Sequence, residues 1–411
     1  MATLPYILRG AVQRPLSRLR RQTATVDVAP PSREGRLYAL DLARFIAMVF
    51  MMQGHVLDAI VQRGSLDIDV FPWNVWHIVR GLTAPIFLVV SGAVHAFANK
   101  RGQDGLILDT VIEKRIRWAI TLIGLGYLMV FPANRVWDLP FVSSASWTAA
   151  LAVNILQLTG VTILLFVLVM RTSKNIADMG RRGLFTALGI LVLTPIMRLG
   201  LVEPLVPSWF VPYLHEGTGS LFPIFPFASY LFFGVALGAY LHAVPAETRH
   251  HHIRRYLWRG GAVLAGAALV AHGIGLLIGY SASQLDNIGS VILVFRRLGI
   301  VLMLFSASAA LIDRVPSLRH WGALFGKKSL HIYVIHLVLL YGTPWYDGIG
   351  RTHFRSYDLP TGLLIVVAIM VVTLAAAWGI DVYERTTAFS AQTKRRISAA
   401  LVTVLVALLV V

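Results

Sequence analysis

Apolar residues fall along this chain in long, nearly unbroken blocks, without the strict alternation of a half-buried strand or the narrow stripe of a surface helix. The blocks near 38–61, 76–98, 116–132, 148–170, 184–202, 221–241, 259–280, 292–312, 329–345 and 361–381 approach the roughly 20 residues that a helix needs to cross a bilayer. A last block, Ile397–Val411, has 15 residues and fits either a short eleventh span or an interfacial helix. Because an isolated spanning segment must satisfy its own backbone hydrogen bonds, the pattern predicts an all-α, polytopic transmembrane bundle of about ten helices.

The polar residues between the blocks orient that bundle. One set of connections holds Lys100, Arg101, Lys114, Arg115 and Arg117; then Arg171, Lys174, Arg181 and Arg182; then Arg249, Arg254, Arg255 and Arg259; then Arg314, Arg319, Lys327 and Lys328; then Arg385, Lys394, Arg395 and Arg396. The alternate connections are balanced or acidic: Arg63 with Asp58, Asp67 and Asp69; Arg135 with Asp138; Glu203 and Glu216; Asp347 and Asp358 with Arg351 and Arg355. Cations accumulate on the cytoplasmic side, so the N-terminus is expected inside a cell (inner) membrane. The expected organisation is a basic, disordered tail over 1–36, a transmembrane domain over 37–385, and a basic linker with a short apolar helix over 386–411. No apolar signal-peptide core interrupts the arginines of the tail.

Composition sharpens this picture. The chain is 56% hydrophobic and 14% charged, with a mean hydropathy of +0.69, far from the usage of soluble domains. The net charge of +17 sits in short clusters between apolar blocks, which suits anionic lipid and argues against nucleic acid as a partner. Cysteine is absent, so thiolate metal sites and an enzyme-bound thioester are excluded. His250, His251 and His252 stand among arginines without a nearby carboxylate cluster, and no metal is expected there.

Ionisable residues inside spans are costly and mark function by default. The first block contains Asp41, Arg44 and His55, with Arg44 and His55 11 residues apart, on one helical face and separated by about 16 Å of rise. Asp41 lies close enough to Arg44 on that face to pair with it. In the second block His77 and Arg80 are one turn apart, and the Arg80 guanidinium needs a carboxylate, phosphate or wet cavity. Trp73 and Trp76 fit the interfacial aromatic belt. Pro85 and the Ser91-Gly92 pair fit a kink and a close helix contact. Gln157 and His336 sit within later spans, either bonding between helices or lining a cavity. Glu216 lies in an outer connection, and Arg296 and Arg297 open the eighth block, facing an anion or snorkelling.

The run Leu40-Asp41-Leu42-Ala43-Arg44-Phe45, ending in Gly54-His55, resembles the opening helix of the transmembrane acyltransferases, which include the acyltransferase-3 proteins and the heparan-alpha-glucosaminide N-acetyltransferase-like proteins. Four later stretches extend the resemblance in order: Arg80 with Pro85 through Gly92; Ile155 through Gly160; Phe222 through Pro226 with Phe233 through Gly238; and Gly326 through His336. The chain departs from the better-known pattern at Ala43-Arg44-Phe45, where many members have Arg-Gly, and lacks the long extramembrane loops of the lysosomal enzyme. The resemblance implies transfer of an acyl group, usually from acetyl-CoA as co-substrate and with no permanently bound cofactor, to a carbohydrate or lipid-linked acceptor.

Acyl transfer needs a base, stabilisation of an oxyanion, and cations for the CoA phosphates. His55 or His77 supplies an imidazole near neutral pH, with Asp41 and Arg44 in the same catalytic set. Arg80, Arg115, Arg117, Lys327 and Lys328 are the candidate CoA-binding residues. Gln157, Glu216, Arg296, Arg297 and His336 are the candidate substrate or cavity residues. The alternative is a proton-coupled transporter, which also uses intramembrane Asp, Arg and His, although no inverted repeat is visible. A homo-oligomer is compatible with either reading.

Overall fold

The computed structural model describes residues 36–98, 101–102, 107–387 and 391–410. The expectations for residues 1–35, for Lys100 and for residues 388–390 lie outside them. The α-helices are α1 (Tyr38–Ile60), α2 (Trp73–Arg80), α3 (Thr83–Phe97), α4 (Asp109–Met129), α5 (Ser144–Leu151), α6 (Ile155–Thr172), α7 (Ile176–Arg198) and α8 (Ile224–Ala243). They are followed by α9 (Ala246–Leu277), α10 (Ala282–Leu285), α11 (Val291–Arg314), α12 (Leu318–Lys327), α13 (Ser329–Tyr341), α14 (Ile349–Thr352), α15 (Leu359–Thr386) and α16 (Ala391–Val410). Among the described residues, β pairing is confined to isolated bridges. The protein is an all-α, multi-pass membrane protein.

Seven helices are long and apolar enough to cross a membrane, with α2 and α3 taken as one, and an eighth is added if the bent α12–α13 pair counts as a span. The two remaining predicted spans are the helices α4 and α7. They have the length, but their basic ends carry Glu113, Lys114, Arg115 and Arg117, and Asp178, Arg181 and Arg182. The same effect moves boundaries elsewhere: α9 begins at Ala246 and α16 at Ala391, well before their apolar blocks. Lys, Arg and Glu are good helix formers, so a helix continues past the point where hydropathy ends. The C-terminal helix therefore has 20 residues, and the carbonyl of Val410 accepts a hydrogen bond from Trp137 Nε1 at 3.0 Å.

Small residues let the central helices touch. On α3 and α8, a methyl group at Gly92 would run into the carbonyl of Leu231, and one at Gly234 or Gly238 into the carbonyls of Val89 or Ala93. Gly234 and Gly238 are one helical turn apart, the small-xxx-small spacing that brings backbones together in lipid. The structural reading of Ser91-Gly92 is thus correct at Gly92.

Two interruptions matter for the site. The second predicted span breaks at Gly81-Leu82, four residues before Pro85, whose ring cannot donate to the Gly81 carbonyl. The ninth is an elbow of 68° between α12 and α13, centred on Lys328. At the C-terminus of α1, the loop after α14 supplies the cap: Arg355 N–H donates to Ala59 O and Tyr357 N–H to Ile60 O, satisfying orphan carbonyls.

Candidate functional site

A cavity of about 740 Å³ opens between α1, the α2–α3 break, the ends of α4 and α6, the start of α8, the start of α11 and the second half of α13. Its polar lining includes His55, Asp58, His77, Arg80, Gln157, Asp286, Arg296 and Arg297. His77 and Asp286 are exposed and mark the mouth.

The helical period explains how α1 presents its share. His55 and Asp58 are three residues apart on one face, and Gly54 leaves room for the Arg80 side chain, whose Nε would stand 3.5 Å from a Cβ there. Arg80 meets Asp58 in a two-pronged ion pair, with Nη1 to Oδ1 at 2.7 Å and Nη2 to Oδ2. The guanidinium also lies 4.7 Å above the Trp76 ring, one turn back on α2. Trp76 is buried, so it forms the platform for Arg80; the expected place in the lipid-facing belt is corrected. Asp58 is likewise corrected from a loop acid to a residue of α1. Arg80 thus has its carboxylate, flattened on an aromatic face as guanidinium groups prefer.

His55 and His336 form the second feature. Nδ1 of His336 lies 2.7 Å from the carbonyl of Ile332, which only accepts, so Nδ1 carries the proton. In the neutral ring Nε2 of His336 is then an acceptor, and it stands 3.0 Å from Nδ1 of His55. The His55 Nδ1–H therefore donates, leaving Nε2 of His55 as the free lone pair. The two rings are nearly parallel, at 12°. A carbonyl on α13 thus sets the tautomer of an imidazole on α1.

Gln157 at the start of α6 is fully buried, and neither its Nε2 nor its Oε1 has a partner. Leaving such atoms unsatisfied costs about 1–3 kcal/mol each. Gln157 lines the cavity, where a water or ligand that reached the amide would satisfy it. The reading of Gln157 as a cavity residue is therefore favoured over a bond between helices.

Arg296 pairs with Asp286 at 2.6 Å. Glu216 lies outside the cavity lining and pairs with Arg198 at 2.7 Å. Nearby, His215 Nε2 meets Glu203 Oε1 at 2.7 Å. These contacts fasten the connection between α7 and α8, which contributes Leu221 and Phe222 to the cavity wall.

The remaining candidates gather at the opposite end of α1. Arg44 Nη1 reaches the carbonyl of Gly326 at 3.5 Å, and Gly326 packs against Asp41. Lys328 is buried and paired with Glu384 at 2.6 Å, and Lys327 lies 4.0 Å from Asp381. Arg117 is exposed and pairs with Glu113 at 3.0 Å. Arg115 is buried, donates to Nδ1 and to the carbonyl of His95, the latter at 2.9 Å, and faces the Phe166 ring at 5.5 Å.

Sequence reasoning missed His95, Asp58 and the link between His55 and His336. His95 carried a signal, an ionisable side chain within a span. So did Asp58, three residues after His55. The link had none, because its partners are separated by 281 positions.

The family model described as heparan-alpha-glucosaminide N-acetyltransferase, catalytic, matches residues 36–264. No curated protein and no solved structure gives a match. The matched region is more than half of the chain and holds His55, His77, Arg80 and Gln157; Arg296, Arg297 and His336 lie beyond it. The chain belongs to this family and is a membrane enzyme that transfers acyl groups.

Proposed function

We propose that the protein moves an acetyl group from cytoplasmic acetyl-CoA to a sugar or lipid-linked glycan, with the reaction taking place in the cavity at His55. The observation that carries this reading is the tautomer set by Ile332 and His336, which leaves His55 Nε2 as a base beside a space of about 740 Å³.

In this mechanism the acceptor hydroxyl or amine gives its proton to His55 Nε2 as its oxygen or nitrogen attacks the thioester carbonyl. His336 accepts the hydrogen bond from Nδ1 and holds the ring as positive charge develops, in the manner of the orienting partner of a catalytic histidine. The C–S bond then breaks, and the CoA thiolate takes the proton back from the imidazolium. The unpartnered amide of Gln157 is suited to donate to the carbonyl oxygen as it becomes an oxyanion. Arg80, fixed by Asp58 and Trp76, supplies a positive field without moving. Direct transfer agrees with the absence of cysteine.

Donor and acceptor enter from opposite ends. The end that carries the basic connections faces the cytoplasm by the charge rule. There Arg117 on α4, exposed at the surface, presents its cation to the CoA phosphates, and Arg115 of the same helix, buried against His95, adds positive field. Arg44, Asp41, Lys327 and Lys328 shape the same end through the Gly326 turn, about 16 Å from His55, a distance that a pantetheine arm spans. His77, exposed at the mouth, meets the acceptor.

The test is to reconstitute the full chain in lipid nanodiscs, add labelled acetyl-CoA, and follow label into a glycan or lipid extract. His55→Ala is expected to lower transfer about 10³-fold with an unchanged melting midpoint. Transfer by His55→Ala at the wild-type rate would overturn the assignment.

A further inference from the structure

The charges lining the cavity do not cancel. Arg80 is matched by Asp58 and Arg296 by Asp286, but Arg297 has no ion pair among the described residues. Its guanidinium lines the cavity and comes within 3.1 Å of the Cβ position at Gly81, in the α2–α3 break. Its charge acts on His77 at the mouth and on the hydroxyl of Tyr230. That hydroxyl is buried and faces Arg297 from α8. An arginine that lines the cavity among apolar side chains, with no carboxylate among the described residues to pair with, is complementary to a carboxylate or phosphate.

The donor's own phosphates do not meet this need if they stay at the basic end. The anion then belongs to the acceptor. We infer that Arg297 is a specificity residue that selects acceptors bearing a carboxylate or phosphate next to the acylated group, such as a uronic acid or a sugar joined to lipid through phosphate. The residue stands on α11, outside the stretch matched to the family, so the selection is a property of this chain's second half. Arg296 beside it is already neutralised by Asp286, which confines the free charge to one position. Sugar carboxylate and lipid phosphate share one recognition chemistry, and the probes below separate them.

The inference rests on the acyl-transfer reading for its kinetic arm and stands without it for its binding arm. In the kinetic arm, wild type, Arg297→Gln and Arg297→Lys acetylate phenyl β-D-glucuronide, phenyl β-D-glucoside and glucose 1-phosphate. Wild type is expected to favour the better of the two anionic acceptors over the glucoside by about tenfold or more in kcat/KM. Arg297→Gln collapses that ratio, chiefly through KM, and Arg297→Lys keeps part of it. Which anionic probe is preferred identifies the source of the charge. A wild-type ratio near one, or an Arg297→Gln variant that slows all three acceptors equally, overturns the inference.

If no acceptor is acetylated, the proposed function fails, and the binding arm still decides this point. The favoured anionic probe, and not the glucoside, should then raise the melting midpoint of wild type and leave that of Arg297→Gln unmoved. Equal shifts in both proteins, or none in either, overturn it.

Discussion

At the Asp41 end of α1, buried charge is held in ion pairs: Lys328 is held by Glu384, Lys327 and Arg385 face Asp381, and Gly326 packs against Asp41 while its carbonyl meets Arg44. At the His55 end the pairs Arg80–Asp58 and Arg296–Asp286 are likewise closed, but the amide of Gln157 is buried without a partner and Arg297 lines the cavity without an ion pair. The same residue types therefore serve opposite ends. Closed pairs tie the elbow between α12 and α13 to α15. Open groups lower stability and wait for a ligand, as sites of chemistry do. Substitutions at the first end should thus register in stability, and those at the second in activity.

The largest expected effect belongs to the closed end. Lys328 is buried while Glu384 is half-exposed, so the two partners are not equivalent. Glu384→Gln strands a buried ammonium and is expected to cost about 3 kcal/mol, read as a lower melting midpoint in detergent. Lys328→Met leaves a carboxylate that water can reach, and the double variant should recover most of the loss. If Glu384→Gln melts with wild type, the pair does not hold the elbow.

His336 tests the open end next. His336→Leu removes the acceptor for His55 Nδ1–H, and transfer should fall by about 10–100-fold with little change in melting. His336→Gln, whose amide oxygen can still accept, should retain more activity than the leucine variant. Equal rates for the two would mean that His336 acts by packing alone.

Asp58 and Arg80 bridge the comparison, a closed pair within the open end. Their side chains are 43% and 26% exposed, so solvent screens them, and Asp58→Asn should cost only about 1 kcal/mol. Adding Arg80→Gln should restore part of the stability while transfer stays low. A double variant less stable than Asp58→Asn would show that Arg80 is held mainly by Trp76.

The fold was legible where apolar blocks were unambiguous, and the site where an ionisable residue interrupted one. His55, His77, Arg80, Gln157, Arg296 and Arg297 converge on one cavity, although they come from α1, α2, α6 and α11. Helix lengths were less legible, because α9 and α16 extend into charged sequence that hydropathy reads as loop. The elbow at Lys328 was invisible for a related reason. Its buried lysine looks like a cytoplasmic one until Glu384, some fifty residues later, is seen to pair with it. The contact of His55 with His336 depends on where α13 lies against α1, which no local pattern encodes.

Gln157 gives the smallest effect and the one whose sign is most informative. Both polar atoms of its amide are buried without partners, so Gln157→Leu, close in volume, removes an unsatisfied group and should leave stability unchanged or raise it by about 1 kcal/mol. Transfer should nevertheless fall, because the proposed donor to the developing oxyanion is gone. Melting and activity would then move in opposite directions at one residue, which packing damage cannot produce. At the closed end no substitution should behave this way, since every polar group there that loses its partner lowers stability. A Gln157→Leu variant that melts lower than wild type and transfers at the wild-type rate would place Gln157 with the closed pairs and remove it from the site.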